Sequence, residues 1–164
     1  MKSFSKSVLV LYLLFLLWLI LFKTSLNFSA VLMDYQSRSL NLIPFAGISR
    51  GTVREMIDNV IVFIPLGLLL SINFKQRANL WQKLAFVALF SLAAEIAQFV
   101  LAIGTTDITD VITNTLGGFV GLAAYSLISK YADSEKLDRL IAIVGIGLLV
   151  AFMLLRFLVL RVRY

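Results

Sequence analysis

From Leu140 to Leu155 the chain reads LIAIVGIGLLVAFMLL, with no polar side chain. Within a bilayer nothing outside such a segment can satisfy its backbone, so it must form a helix. Four further runs are comparably apolar: Ser7–Phe22, Met56–Phe74, Leu84–Ile103 and Asp107–Ser129. The 164 residues are 60% hydrophobic and 15% charged, against about a quarter charged in a soluble domain. The fold expected is an all-α polytopic membrane bundle of five transmembrane helices, forming a single membrane domain over residues 1–164. The fifth span, within about 137–160, is apolar all round and is expected at the periphery with lipid on one side. There is no cysteine and no histidine, which excludes disulfides, thiolate metal sites and imidazole bases.

Ser7–Phe22 lies between Lys6 and Lys23, whose long side chains can snorkel to the interfaces. Its bulky residues, Trp18 among them, run to its end without a small-residue cleavage site. It therefore reads as a retained anchor, not a signal peptide. Residues 24–55 read as one long loop, in which Asn27-Phe28-Ser29 matches a glycosylation sequon. The formal charge of +6 comes from basic residues flanking the apolar runs. That pattern fits anionic headgroups and topology better than nucleic acid. Lys75, Arg77 and Lys83 lie between spans two and three, and no basic residue lies between spans three and four. The N-terminus is therefore expected in the cytoplasm, with Lys130, Lys136 and Arg139 on the same side. Arg161 and Arg163 then fall outside, as do Arg38, Arg50 and Arg54 in or near the long loop.

This topology gathers polar residues at the outer ends of three spans. Asp58 and Asn59 open span two, Asp107 and Asp110 open span four, and Glu95 and Gln98 lie in span three. Asn114 falls about 10 Å below Asp107 at the helical rise per residue. At the helical angular step, Asp107, Asp110, Asn114, Gly117, Gly118, Gly121 and Tyr125 share one face of span four. Ala88, Ser91, Glu95, Gln98 and Ala102 share one face of span three. Small residues below polar ones favour close helix packing with hydrogen bonds across the contact. A tight hairpin between these spans would set Gln98 opposite Asp110 or Val111, and Glu95 opposite Asn114. A carboxylate near the bilayer centre costs on the order of 2.5–3.5 kcal/mol or more, so Glu95 is a functional candidate.

Structural readings compete with that role. Asp107 suits an N-cap, with Asp110 favoured by the helix dipole. Thr52-Val53-Arg54-Glu55 reads as a capping box, and Arg54 and Asp58 as a helix pair. Arg50 and Arg54 suit headgroup anchors or anion contacts. Pro65 marks a kink in span two. Gly117 and Gly121 form a small-xxx-small packing motif with Gly118 beside it. Ser91 can bond its own helix. No cofactor or metal motif is present, and no catalytic nucleophile stands out.

Four stretches in order carry a resemblance. They are Asn41-Leu42-Ile43-Pro44-Phe45, Asp58-Asn59-Val60-Ile61-Val62-Phe63-Ile64-Pro65-Leu66-Gly67, Ser91-x-x-x-Glu95-x-x-Gln98, and Asp107-Ile108-Thr109-Asp110-Val111-Ile112-Thr113-Asn114-Thr115-Leu116-Gly117-Gly118. Over about residues 8–130 the chain resembles the VanZ-like family of bacterial envelope membrane proteins, which is associated with low-level teicoplanin resistance. The resemblance implies roles for Asn59, Pro65, Glu95, Gln98, Asp107, Asp110, Asn114 and Gly117. It departs at Gly104-Thr105-Thr106, where many members carry an arginine. An anion contact made there would have to come from Arg50 or Arg54 instead.

Three functions compete. The first is a non-catalytic envelope protein of the cytoplasmic membrane with an outward-facing polar cleft. It would bind a lipid-linked cell-wall precursor headgroup or an envelope protein and modulate glycopeptide susceptibility. The second is a membrane enzyme using Glu95, Asp107 and Asp110 as acid/base or Mg²⁺ ligands. The third is a small transporter with Glu95 as its proton or cation site, against which stands the lack of an inverted repeat. The sequence leaves the oligomeric state open.

Overall fold

The computed structural model describes residues 2–21, 39–75, 77–102 and 105–162. Lys23, the Asn27-Phe28-Ser29 triplet, Arg38, Gly104 and Arg163 lie outside these. In chain order the elements are α1 (Lys2–Leu21), β1 (Ser39–Asn41), α2 (Arg50–Asn73), α3 (Leu80–Leu101), β2 (Thr105–Asp107), α4 (Ile108–Ile128) and α5 (Ser134–Val162). All five helices are long and apolar enough to cross a membrane. The chain is therefore an all-α multi-pass membrane protein, and its contact with the lipid bilayer follows.

Four helices begin earlier than their apolar runs: α1 at Lys2, ahead of Ser7, and three others where polar first turns supply caps. α2 starts at Arg50, not near Met56. Its capping box is Ser49 with Thr52: the Ser49 hydroxyl accepts from the Thr52 N–H at 3.2 Å, and Thr52 Oγ1 accepts from the Ser49 N–H at 2.6 Å. The expected box of Thr52 with Glu55 is thus displaced by one turn, since Ser49 offers the first competent side chain. α3 starts at Leu80, not Leu84, on a reciprocal cap between Asn79 and Gln82. α5 starts at Ser134, not Leu140, where the Asp133 carboxylate accepts from the Glu135 N–H at 2.9 Å. The long loop is also shorter than expected. Residues 39–41 form β1, which pairs in parallel with β2 in the register Ser39↔Thr105, Leu40↔Thr106, Asn41↔Asp107.

α1 is built into the bundle. Val8 and Leu16 are fully buried, and the Tyr12 hydroxyl donates to the Val62 carbonyl at 2.7 Å. At the start of α1, Ser5 and Asn73 exchange hydrogen bonds at 3.1 Å, so α1 and α2 run antiparallel. α2 and α4 run parallel and pack closely through glycines. A Cβ on Gly117 would overlap the Val60 carbonyl, one on Gly121 the Ile64 carbonyl, and one on Gly67 the Gly118 carbonyl. Gly118 faces the other way, where its Cβ would lie 2.7 Å from Val87 Cγ1 on α3. The glycine stripe thus serves two neighbours of α4. Pro65 sits within α2, between the residues of this seam. α5 is peripheral, with Phe152 edge-on to Phe15 at 4.9 Å between ring centres.

Two ends result. One gathers the α1, α3 and α5 starts with the α2 and α4 ends, and it bears Lys6, Lys75, Arg77, Lys83, Lys130, Lys136 and Arg139. At the other, β2 meets the last turns of α3, and Gln98 of α3 meets the last turn of α1.

Candidate functional site

At the second end the extended residues of β2 run back along the last turn of α3 before α4 begins. Ala102 closes α3 in the left-handed conformation, at φ 54. The Thr106 hydroxyl then donates to the Glu95 carbonyl at 3.2 Å, and the Asp107 N–H donates to Glu95 Oε2 at 3.1 Å. Asp107 caps α4: its Oδ1 accepts from the Thr109 N–H at 2.8 Å, and its Oδ2 accepts from the Asn41 amide at 2.9 Å. The Thr109 hydroxyl accepts from the Phe45 N–H at 3.0 Å, which ties the segment after β1 over the site.

Across the seam with α2, the Asn59 amide donates to Asp110 Oδ1 at 2.7 Å and to Thr113 Oγ1 at 3.3 Å. One turn deeper, the Asn114 amide donates to the Ser91 hydroxyl at 2.9 Å. Glu95 and Asn114 are each only 2% exposed. Gln98 Oε1 and Asn114 Oδ1 are buried and accept no hydrogen bond among the described residues.

The structure redraws the expected pairings. Glu95 meets the Asp107 backbone, and Asn114 meets Ser91. Gln98 does not reach Asp110 or Val111: its amide donates to the Ile20 carbonyl at 2.8 Å, at the end of α1. The hairpin register has slipped by one turn because β2 uses up chain between the helices. Asp58, Arg50 and Arg54 are exposed. No ion pair joins Arg54 to Asp58 among the described residues, and neither arginine folds over the carboxylates. Also among the described residues, no three acidic side chains converge as a metal-binding set. Among the described residues, Asp107 accepts from Asn41 and Thr109, Asp110 from Asn59, and Glu95 from the backbone N–H of Asp107.

The space beside this network differs from an open polar cleft. A hollow of about 200 Å³ has a wholly apolar surface, formed by Leu92, Phe99, Val111 and Leu42 among others; Glu95, Thr106 and Asp107 border it without turning a polar atom into it. It lies between α3 and α4, with β1 and the residue after it as its cover. Several wall residues face outward as well, Leu92 being 39% and Phe99 38% exposed. The reason is local: β1 pairs with β2 and closes the end of the bundle, leaving space on its flank.

The sequence reading missed Asn41, Thr106 and Ser91 as partners across elements, and Thr109 and Thr113 beside them. A signal existed for two of these. Thr109 and Thr113 are four apart, so they stack on a helix next to the Asp110–Asn114 stripe. Asn41 gave none, because its partner lies far along the chain.

The signature of the VanZ/LLP1 family matches residues 9–129. Protein VanZ of Enterococcus faecium is 55% identical over 155 residues, covering 94% of each chain. No solved structure matches. The matched residues 9–129 span the Glu95–Asp107–Asp110–Asn114 network, and this chain belongs to the VanZ/LLP1 family.

Proposed function

We propose that the chain is a non-catalytic protein of the bacterial cytoplasmic membrane that binds the headgroup of a lipid-linked cell-wall precursor at Glu95 and Asp107. By occupying that precursor it modulates susceptibility to teicoplanin-type glycopeptides. The observation that carries this reading is the buried Glu95 carboxylate, hydrogen-bonded to the half-buried Asp107, beside an apolar hollow on the flank of the bundle. Carboxylate and amide oxygens suit the hydroxyl and N–H donors of a sugar or peptide headgroup. Leucine, phenylalanine and valine side chains suit its lipid chain. Access is from the side, between α3 and α4, in place of the outward-facing cleft expected from sequence. Below Asn114 the seam is dry, with Gly117 and Gly121 against α2 and Val87 over Gly118. That favours binding over passage through the bundle. The basic end faces the cytoplasm, by the excess of lysine and arginine there.

The test is capture. A photoreactive side chain replacing Val111 in the full-length protein should crosslink a lipid-linked cell-wall precursor in membranes. Glu95→Gln should abolish that adduct. An equal adduct in the Glu95→Gln protein, or none in wild type, would refute the assignment.

A further inference from the structure

We propose a second site at the opposite end of the molecule, binding the phosphate and one acyl chain of an anionic phospholipid in the groove between the start of α3 and the end of α4. It is independent of the Glu95 network. The groove has a volume of about 920 Å³, and Lys75, Lys83 and Lys130 line it. No carboxylate lines it. Lys75 is already engaged: its ammonium lies 2.6 Å from Asp138 and 5.6 Å from the centre of the Tyr125 ring. Lys83 and Lys130 have no acidic partner among the described residues. Lys83 is half-buried, so its charge is held where solvent screening is weaker than at the open surface.

The other wall selects the class of anion. Phe119 is 42% and Leu127 59% exposed, and with Leu122 they line the same groove. A soluble phosphate would use only the lysines, whereas Phe119 and Leu127 lie on a membrane-spanning helix where exposed apolar side chains meet acyl chains. A phospholipid uses both, with its phosphate on Lys83 and Lys130 and a chain along Phe119 and Leu127. Basic hollows between transmembrane helices beside an anionic leaflet are suited to such headgroups.

The experiment titrates phosphatidylglycerol, phosphatidylcholine and inorganic phosphate separately into the purified full-length chain in nonionic detergent. Bound lipid is counted by native mass spectrometry. Phosphatidylglycerol should bind in preference to phosphatidylcholine. Lys83→Gln and Lys130→Gln should each weaken it about fivefold, and Lys83→Arg should retain it. Lys130 is exposed, so its variant reads the site even where Lys83→Gln disturbs packing. Equal binding of phosphatidylcholine, wild-type binding by both glutamine variants, or inorganic phosphate displacing the lipid at comparable concentration would each overturn the proposal.

Discussion

Glu95 and Asn59 separate structure from function within one network. Asn59 donates to Asp110 at 2.7 Å and to Thr113 from a buried position. Asn59→Leu withdraws a donor from a carboxylate, a loss of about 1.5–3 kcal/mol. Thermal unfolding in detergent should show a clearly lower midpoint than wild type. Glu95→Gln differs, because the glutamine carbonyl can still accept from the Asp107 N–H. Its fold should stand while the carboxyl group is lost. Which polar side chains line the facing stripes of α3 and α4 was legible from helical periodicity, as for Glu95, Asp107, Asp110 and Asn114. Which atoms meet was not. The pairing depends on how far the chain travels between helices, and the three extended residues of β2 moved it by a turn.

The helices were legible as apolar runs, and their ends were not. Ser49, Asn79 and Asp133 begin α2, α3 and α5 from polar turns outside those runs. β1 and β2 left no trace in periodicity, since each is only 3 residues long and each needs the other. The glycine seam shows what holds the elements together. With little hydrophobic drive between helices in lipid, backbone approach and cross-helix hydrogen bonds dominate. Gly121→Ala would push a methyl into the Ile64 carbonyl, so α2 must move off α4. A loss of about 1–3 kcal/mol is expected, with weakening of the Asn59–Asp110 bond above it. Gly147→Ala meets nothing within 4 Å and should be neutral or slightly stabilising. A matched pair of unfolding curves checks this, and equal effects would refute the seam.

The whole molecule is polarised, with the Glu95–Asp107–Asp110 carboxylates at one end and a cluster of lysines and arginines at the other. Because the chain contains no cysteine, single replacements report sidedness directly. Arg77→Cys should react with an impermeant maleimide only from the cytoplasmic side, and Ile48→Cys only from outside; the reverse would invert the topology. The basic end also ties α2 to α5 through Lys75, Asp138 and Tyr125. Burial lowers the affinity of Lys75 for its proton, but hydrogen bonds to Asp138 and Tyr125 more than offset this and leave its pKa raised above 10.5. A group whose pKa is raised on folding contributes stability fully below its unfolded value and loses it as pH climbs through the folded one. The difference in unfolding temperature between wild type and Lys75→Gln should therefore be constant at neutral pH and shrink only above about 10.5. A difference that shrinks on acidification through neutral pH instead would exclude this ion pair as its source. The most direct measurement of the central claim is teicoplanin sensitivity in a susceptible Gram-positive host, with wild type and Glu95→Gln expressed at matched membrane levels. The account predicts protection by wild type and its loss in Glu95→Gln at an unchanged unfolding temperature. Full protection by Glu95→Gln would contradict it and reduce the buried carboxylate to a packing element.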